Sequence, residues 1–146
     1  MRAPFTRLFV HCVWATWDRL PLLDPDLERR VYSALVGKVR ELGCAMHAVG
    51  GTPDHVHLLV RMPTTLPVAH LVKELKGASS HLVTHALRPV AFFKWQGGYG
   101  AFTVSVDQVQ RVRDYVQHQK RHHATGNVRV DWERTTEEPD QAMPGE

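Results

Sequence analysis

The sequence lacks the features that would place it in a membrane or in an oxidising compartment. No apolar run approaches the roughly 18 residues that cross a bilayer. The N-terminus, Met1 to Phe5, carries one basic residue and no continuous apolar stretch before Arg7, so no secretory leader is read there. There are only two cysteines, Cys12 and Cys44, each inside an apolar run. Buried thiols in a reducing cytoplasm are expected, rather than a disulfide. No internal repeat or extended low-complexity tract occurs. The 146 residues suit one domain with one core, and the 43% apolar and 23% charged fractions are those of a globular chain.

Acids are scarce outside the C-terminus. From Glu133 to Glu146 there are five acids against one base, a charge of −4, which leaves the first 132 residues at +7 (17 bases against 10 acids). A basic body suits a polyanionic partner such as nucleic acid, though an ordinary solvated basic surface gives the same count. The tail is rich in Thr, Pro and Gln, a composition that favours disorder. We therefore divide the chain into a domain over 1–124 and an acidic tail over 125–146.

Hydropathy patterning supplies the elements. Residues 5–17, FTRLFVHCVWATW, hold Val, Phe, Trp and Thr without Gly or Pro and read as a strand. Asp24 before Pro25 is an N-cap followed by Pro at the first helical position. Leu27, Val31, Leu35 and Val39 then recur at helical spacing until Gly43. Residues 44–50 and 55–62 form a hairpin across GGTPD. A second helix is expected over 67–87, aromatic strand material over 91–105, and a last helix beginning at Ser105 or Asp107. The order β-α-β-β-α-β-α points to an α+β, ferredoxin-like (RRM-like) antiparallel sheet with an added C-terminal helix. Both crossover helices would cover one sheet face and leave the other open.

In the strand HVHLLVRM, His55 and His57 alternate and so share one face, where two imidazoles can converge on a metal ion. The apolar neighbours Val56, Leu58, Leu59 and Val60 imply a central strand, where polar groups need partners. Asp54 could orient a site histidine as a supporting carboxylate, although an Asp after Pro in a turn needs no such role. His11 could join from the first strand, or be a hydrogen-bonded core histidine. On the last helix, Tyr115 and Gln119 stand one turn apart on one face. His118, His122 and His123 are either nucleic-acid contacts or supports to the site. Lys73, Lys76, Arg111 and Arg113 could hold phosphates, and Trp95 and Tyr99 could stack on bases. For the aromatics, core packing is the competing assignment.

Taken in order, GGTPDHVHLLV, KWQGGYGAFTVS and RVRDYVQHQKRHH resemble the single-tyrosine HUH transposases of bacterial insertion sequences and their REP-associated relatives. FVHCVWAT and LVKELKGASS add to the resemblance, which covers about residues 5–123. It implies a DNA transposase that binds hairpins and cuts and rejoins single-stranded DNA through a 5′-phosphotyrosine. It implies Tyr115 as nucleophile, and His55, His57 and Gln119 as ligands of a divalent ion, Mg²⁺ or Mn²⁺. It also implies a homodimer, with the tyrosine helix able to complete the partner's site.

Three other readings fare worse. A histidine-triad nucleotide hydrolase needs a third alternating histidine where Leu59 stands. An RNA-recognition module would display aromatics where this strand displays histidines. Relaxases and replication initiators are usually larger. A relative that binds hairpin DNA or RNA without cutting remains the alternative.

Overall fold

The computed structural model describes residues 2–136. The elements are β1 (Leu8–Ala15), α1 (Pro25–Glu41), β2 (Ala45–Thr52), β3 (His55–Met62), α2 (Val68–Leu82), β4 (Gly100–Val104), α3 (Val109–Gln117) and α4 (Gln119–Thr125). The fold is α+β, as the pattern requires. Its four-stranded sheet runs β2-β3-β1-β4, with every neighbouring pair antiparallel.

Local chemistry sets the boundaries. The Asp24 carboxylate caps α1 by accepting from the Leu27 N–H at 3.0 Å, and Pro25 follows it. Arg88 binds the same carboxylate with both guanidinium ends, which holds it at about 2, below its ordinary range. Gly43 takes φ +80° just beyond the helix, where a side chain would be strained. The second helix ends earlier than its pattern suggests, because a π-helical turn over Val83–Leu87 takes its last residues. Of the aromatic segment 91–105, Gly100–Val104 forms the fourth strand, and Trp95 adds an isolated antiparallel bridge to Thr16. Phe93 and Trp95 turn inward, where Trp95 packs edge-on against Trp14 and donates to Ser79 Oγ at 2.9 Å. The last helix breaks at His118 (φ −114°, ψ 32°), giving α3 and α4 instead of one rod.

Alternation divides β1 and β3 between two cores. Cys12, Trp14, Leu58 and Val60 face α1 and α2, together with Leu27, Leu35, Leu71 and Leu75. Phe9 and Leu59 face the other way, against Val112 and Val116 of α3. That second face is therefore not open as the two-helix arrangement suggested. It is roofed by α3 and α4, which is why its histidines are buried. Residues 126–136, assigned by composition to a disordered tail, run back over this face, with a 3₁₀ turn at Val130–Trp132. The rest of that tail, 137–146, lies outside the described residues. Cys12 and Cys44 are free and buried, and burial pushes the Cys12 thiol up to about 12. Among the described residues no helix is long and apolar enough to cross a membrane.

Candidate active site

The second sheet face gathers polar groups that cannot reach bulk water. His11, His55 and His57 are at most 2% exposed, and Gln119 is 1% exposed. Buried imidazoles need defined partners, and each has one. His55 Nδ1 lies 2.7 Å from Asp54 Oδ1, and the Thr52 hydroxyl donates to the same oxygen at 3.0 Å. With Nδ1–H given to the carboxylate, His55 Nε2 is left facing inward. His57 Nδ1 lies 2.8 Å from His11 Nε2. Burial first, then the charge of His57, lowers the His11 pKa to about 3, which keeps the His11 imidazole neutral. His57 Nε2 is then also turned into the cluster.

Gln119 is brought over the same point by α4. Its amide N–H donates to the Tyr115 carbonyl at 2.9 Å, which fixes the amide so that Oε1 faces His55 Nε2 at 3.3 Å. His123 Nε2 lies 3.1 Å from the same Oε1. The Tyr115 ring sits 5.8 Å from His57 and 4.9 Å from Trp132, with His122 stacked on it at 4.8 Å. Tyr115 and the histidines of this cluster lie on one sheet face of the same chain.

The structure adds a residue that the pattern did not suggest, Glu133. One carboxylate oxygen lies 3.3 Å from His55 Nε2 and the other 3.0 Å from His57 Nε2. The Tyr115 hydroxyl donates to Oε2 at 2.6 Å and accepts from the Arg129 N–H at 3.0 Å. Glu133 stands in sequence among acidic, Thr-rich residues that read as tail. The neighbouring VDW, with a Trp that packs edge-on against His11 at 5.9 Å, is the one hint that this stretch docks.

Charges in the cluster are strongly coupled. Burial alone would raise the Glu133 carboxyl, but hydrogen bonds from His55 and His57 outweigh it and hold the group far below its ordinary range. Burial would lower His55, yet hydrogen bonds to Glu133 and Asp54 raise it. For His57 burial prevails over Glu133, and the pKa is lowered. Burial, then the bond to Glu133, raises the Tyr115 phenol above its usual value.

The donor set fits a divalent cation. Two imidazole nitrogens and one carboxylate oxygen, from His55, His57 and Glu133, lie within 4.8 Å of one another, and both imidazoles have their outer nitrogens engaged. The Gln119 oxygen is close enough to join them.

The remaining candidates are more scattered. Lys73 and Arg111 are exposed, and Arg111 stands 6.0 Å over the Trp132 ring. Arg113 is half-buried near His47. Lys76 donates to the Gln96 and Gly98 carbonyls at 2.8 and 2.6 Å. Trp95 is buried, and Tyr99 packs partly against the α1/α2 core, so both serve packing here.

Comparison with known proteins agrees with this architecture. A family model described as IS200-like transposase matches residues 4–119. A crystal structure of a transposase candidate from Deinococcus radiodurans R1 is 26% identical, with a TM-score of 0.67, covering 82% of this chain and 95% of that one. A REP-associated tyrosine transposase bound to a REP hairpin aligns over 99% of this chain and 96% of its own, with a TM-score of 0.59; at 14% identity it speaks for the fold. No curated protein matches the chain. Since the family model spans most of the sequence, including both alternating histidines, Tyr115 and Gln119, the chain belongs to the IS200-like transposase family.

Proposed function

We propose that this transposase cuts and rejoins single-stranded DNA through a 5′-phosphotyrosine on Tyr115, using Mg²⁺ or Mn²⁺ held by His55, His57 and Gln119, with Glu133 as a further oxygen donor. The observation that carries this reading is the convergence of the Tyr115 hydroxyl and both histidine Nε2 atoms on one carboxylate, Glu133. A nucleophile and a cation-binding set within one cluster are what phosphodiester transfer needs. The bound cation would supply charge neutralisation at the phosphate oxygens.

The chain's own residues do the rest. Tyr115 Oη attacks phosphorus, and the O3′–P bond breaks. The phenol proton leaves toward Oε2 of Glu133, which it already faces, and the departing 3′ oxygen takes up a proton to become a 3′-OH. Rejoining reverses the exchange. A different 3′-OH attacks the phosphotyrosine, and Tyr115 regains its proton. One ester bond is exchanged for another, so no external energy source is required. His11 and Asp54 hold the imidazoles in the tautomers that leave Nε2 free, and the α3/α4 roof limits water that would hydrolyse the intermediate.

Hairpin DNA is the proposed substrate form, supported by the REP hairpin bound to the structural relative. Lys73, Arg111 and Arg113 are proposed phosphate contacts. Homodimerisation, with composite active sites, is proposed from the family resemblance.

The test is incubation with end-labelled single-stranded DNA from the flanks of the gene, with Mg²⁺ or Mn²⁺. A denaturation-resistant adduct on the 5′ side of the cut, with a free 3′-OH on the other fragment, is expected. Hairpin binding without any adduct would favour the non-cutting alternative.

A further inference from the structure

A second candidate DNA-binding surface lies on the α2 side of the sheet. A groove of about 780 Å³ runs between α2 and the segment preceding β4, bordered by Trp17, Lys76, His81, Lys94 and Gln96. None of its described lining residues is acidic, so its cationic groups face no compensating carboxylate there.

Two features single it out. Trp17 is 44% exposed, although a lone surface indole of that size costs apolar contact with water. It is displayed by an unusual turn, since the next two residues, Asp18 and Arg19, are non-glycine residues at φ +53° and +55°. Such backbone is strained and persists where surrounding structure enforces it. Here the Trp17 N–H donates to the Lys94 carbonyl at 2.9 Å, and the Lys94 ammonium stands 4.0 Å from the Trp17 ring centre.

The groove is tied to the catalytic cluster. Thr16 N–H donates to the Asp54 carbonyl at 2.8 Å, and Arg19 lies 3.7 Å from the carboxylate of Asp54 that holds His55. The turn that displays Trp17 is thus anchored on the residue that orients a proposed metal ligand.

We propose that this groove is a subsite for an unpaired nucleotide of the DNA, with its base stacked on Trp17 and its phosphate beside Lys94. An exposed indole next to an unopposed cation suits an unpaired base, because stacking is sequence-tolerant and the ammonium meets the backbone charge. This rests on the strand-cutting reading, and it names where an unpaired base of the bound strand is held.

The test uses a hairpin oligonucleotide with a single-stranded flank, carrying 2-aminopurine at one flank position at a time. In wild type, one position is quenched on binding. Trp17→Ala abolishes that quenching and weakens binding by roughly 5- to 100-fold, as for loss of one stacked base. Lys94→Gln weakens binding less, and its effect shrinks in high salt. An abasic nucleotide at the quenched position costs wild type affinity but leaves Trp17→Ala unchanged. Thermal melting confirms that both variants are folded. If both variants bind and quench like wild type while wild type still forms the tyrosine adduct, the groove assignment falls and the cutting reading stands. If wild type neither binds this DNA nor forms an adduct, both fall.

Discussion

The Tyr115 hydroxyl donates to Glu133 Oε2 across 2.6 Å, and the same carboxylate reaches His55 and His57. A residue from the C-terminal segment thus joins the proposed nucleophile to the proposed metal ligands. Replacing it by Gln keeps the shape and removes the charge. Glu133→Gln is expected to weaken Mn²⁺ binding by at least about 10-fold, measured calorimetrically. Unchanged affinity would leave His55, His57 and Gln119 as the whole donor set.

Asp54 acts through His55. Because its carboxylate takes the Nδ1–H at 2.7 Å, Asp54→Asn leaves the imidazole less firmly held and less basic. Metal affinity should fall about 10- to 100-fold. Thermal melting without metal should change little, since Asp54 lies at a partly exposed turn.

Proton competition sets a pH dependence. Burial lowers the His55 pKa, but Glu133 and Asp54 raise it on balance above 6.5. A raised pKa contributes stability that is full below the unfolded value and is lost as pH rises through the folded value. The metal-free protein should therefore lose this contribution above about pH 6.5. Metal needs the unprotonated Nε2, so its affinity runs the opposite way. The rise in melting temperature on adding Mn²⁺ should grow as pH increases across that range. A rise that is flat or shrinks with pH would contradict His55 as a ligand.

Gly50 allows α3 to approach the sheet. A Cβ placed there would lie 2.0 Å from the Val116 carbonyl oxygen, one residue beyond Tyr115. Gly50→Ala must push α3 outward. Unfolding free energy in urea should drop by about 1–3 kcal/mol, the usual cost of overpacking. Adduct formation should fall with it, because the tyrosine travels with α3.

Much of the fold is legible in the sequence, because strong periodicity is a local signal. The Asp24–Pro25 start of α1, the GGTPD hairpin and the alternating His55 and His57 are each set within a few residues. The breaks are less legible. His118 divides the last helix, and the π-helical turn at Val83–Leu87 closes the second, with no Pro or Gly to announce either. The roof over the second face was also hidden. Val112 and Val116 mark an apolar face on α3, but not which surface it covers. Glu133 is the largest omission. Its role depends on where a polar, irregular segment crosses the sheet, and composition carries no information about that path. Trp95 reads equally as a base-stacking or a core aromatic, and only its contacts with Trp14 and Ser79 decide.

The most direct test of the account is the Tyr115→Phe variant, assayed for covalent DNA adduct in Mn²⁺ alongside hairpin binding. Tyr115 is in contact with His57, Trp132 and His122, and the Phe ring preserves those contacts while removing only the hydroxyl. The account predicts a wild-type adduct that disappears completely in Tyr115→Phe, with hairpin affinity nearly unchanged and a melting temperature lowered only as far as the loss of the hydroxyl's two hydrogen bonds requires. An adduct that persists in Tyr115→Phe would contradict the assignment of Tyr115 as nucleophile.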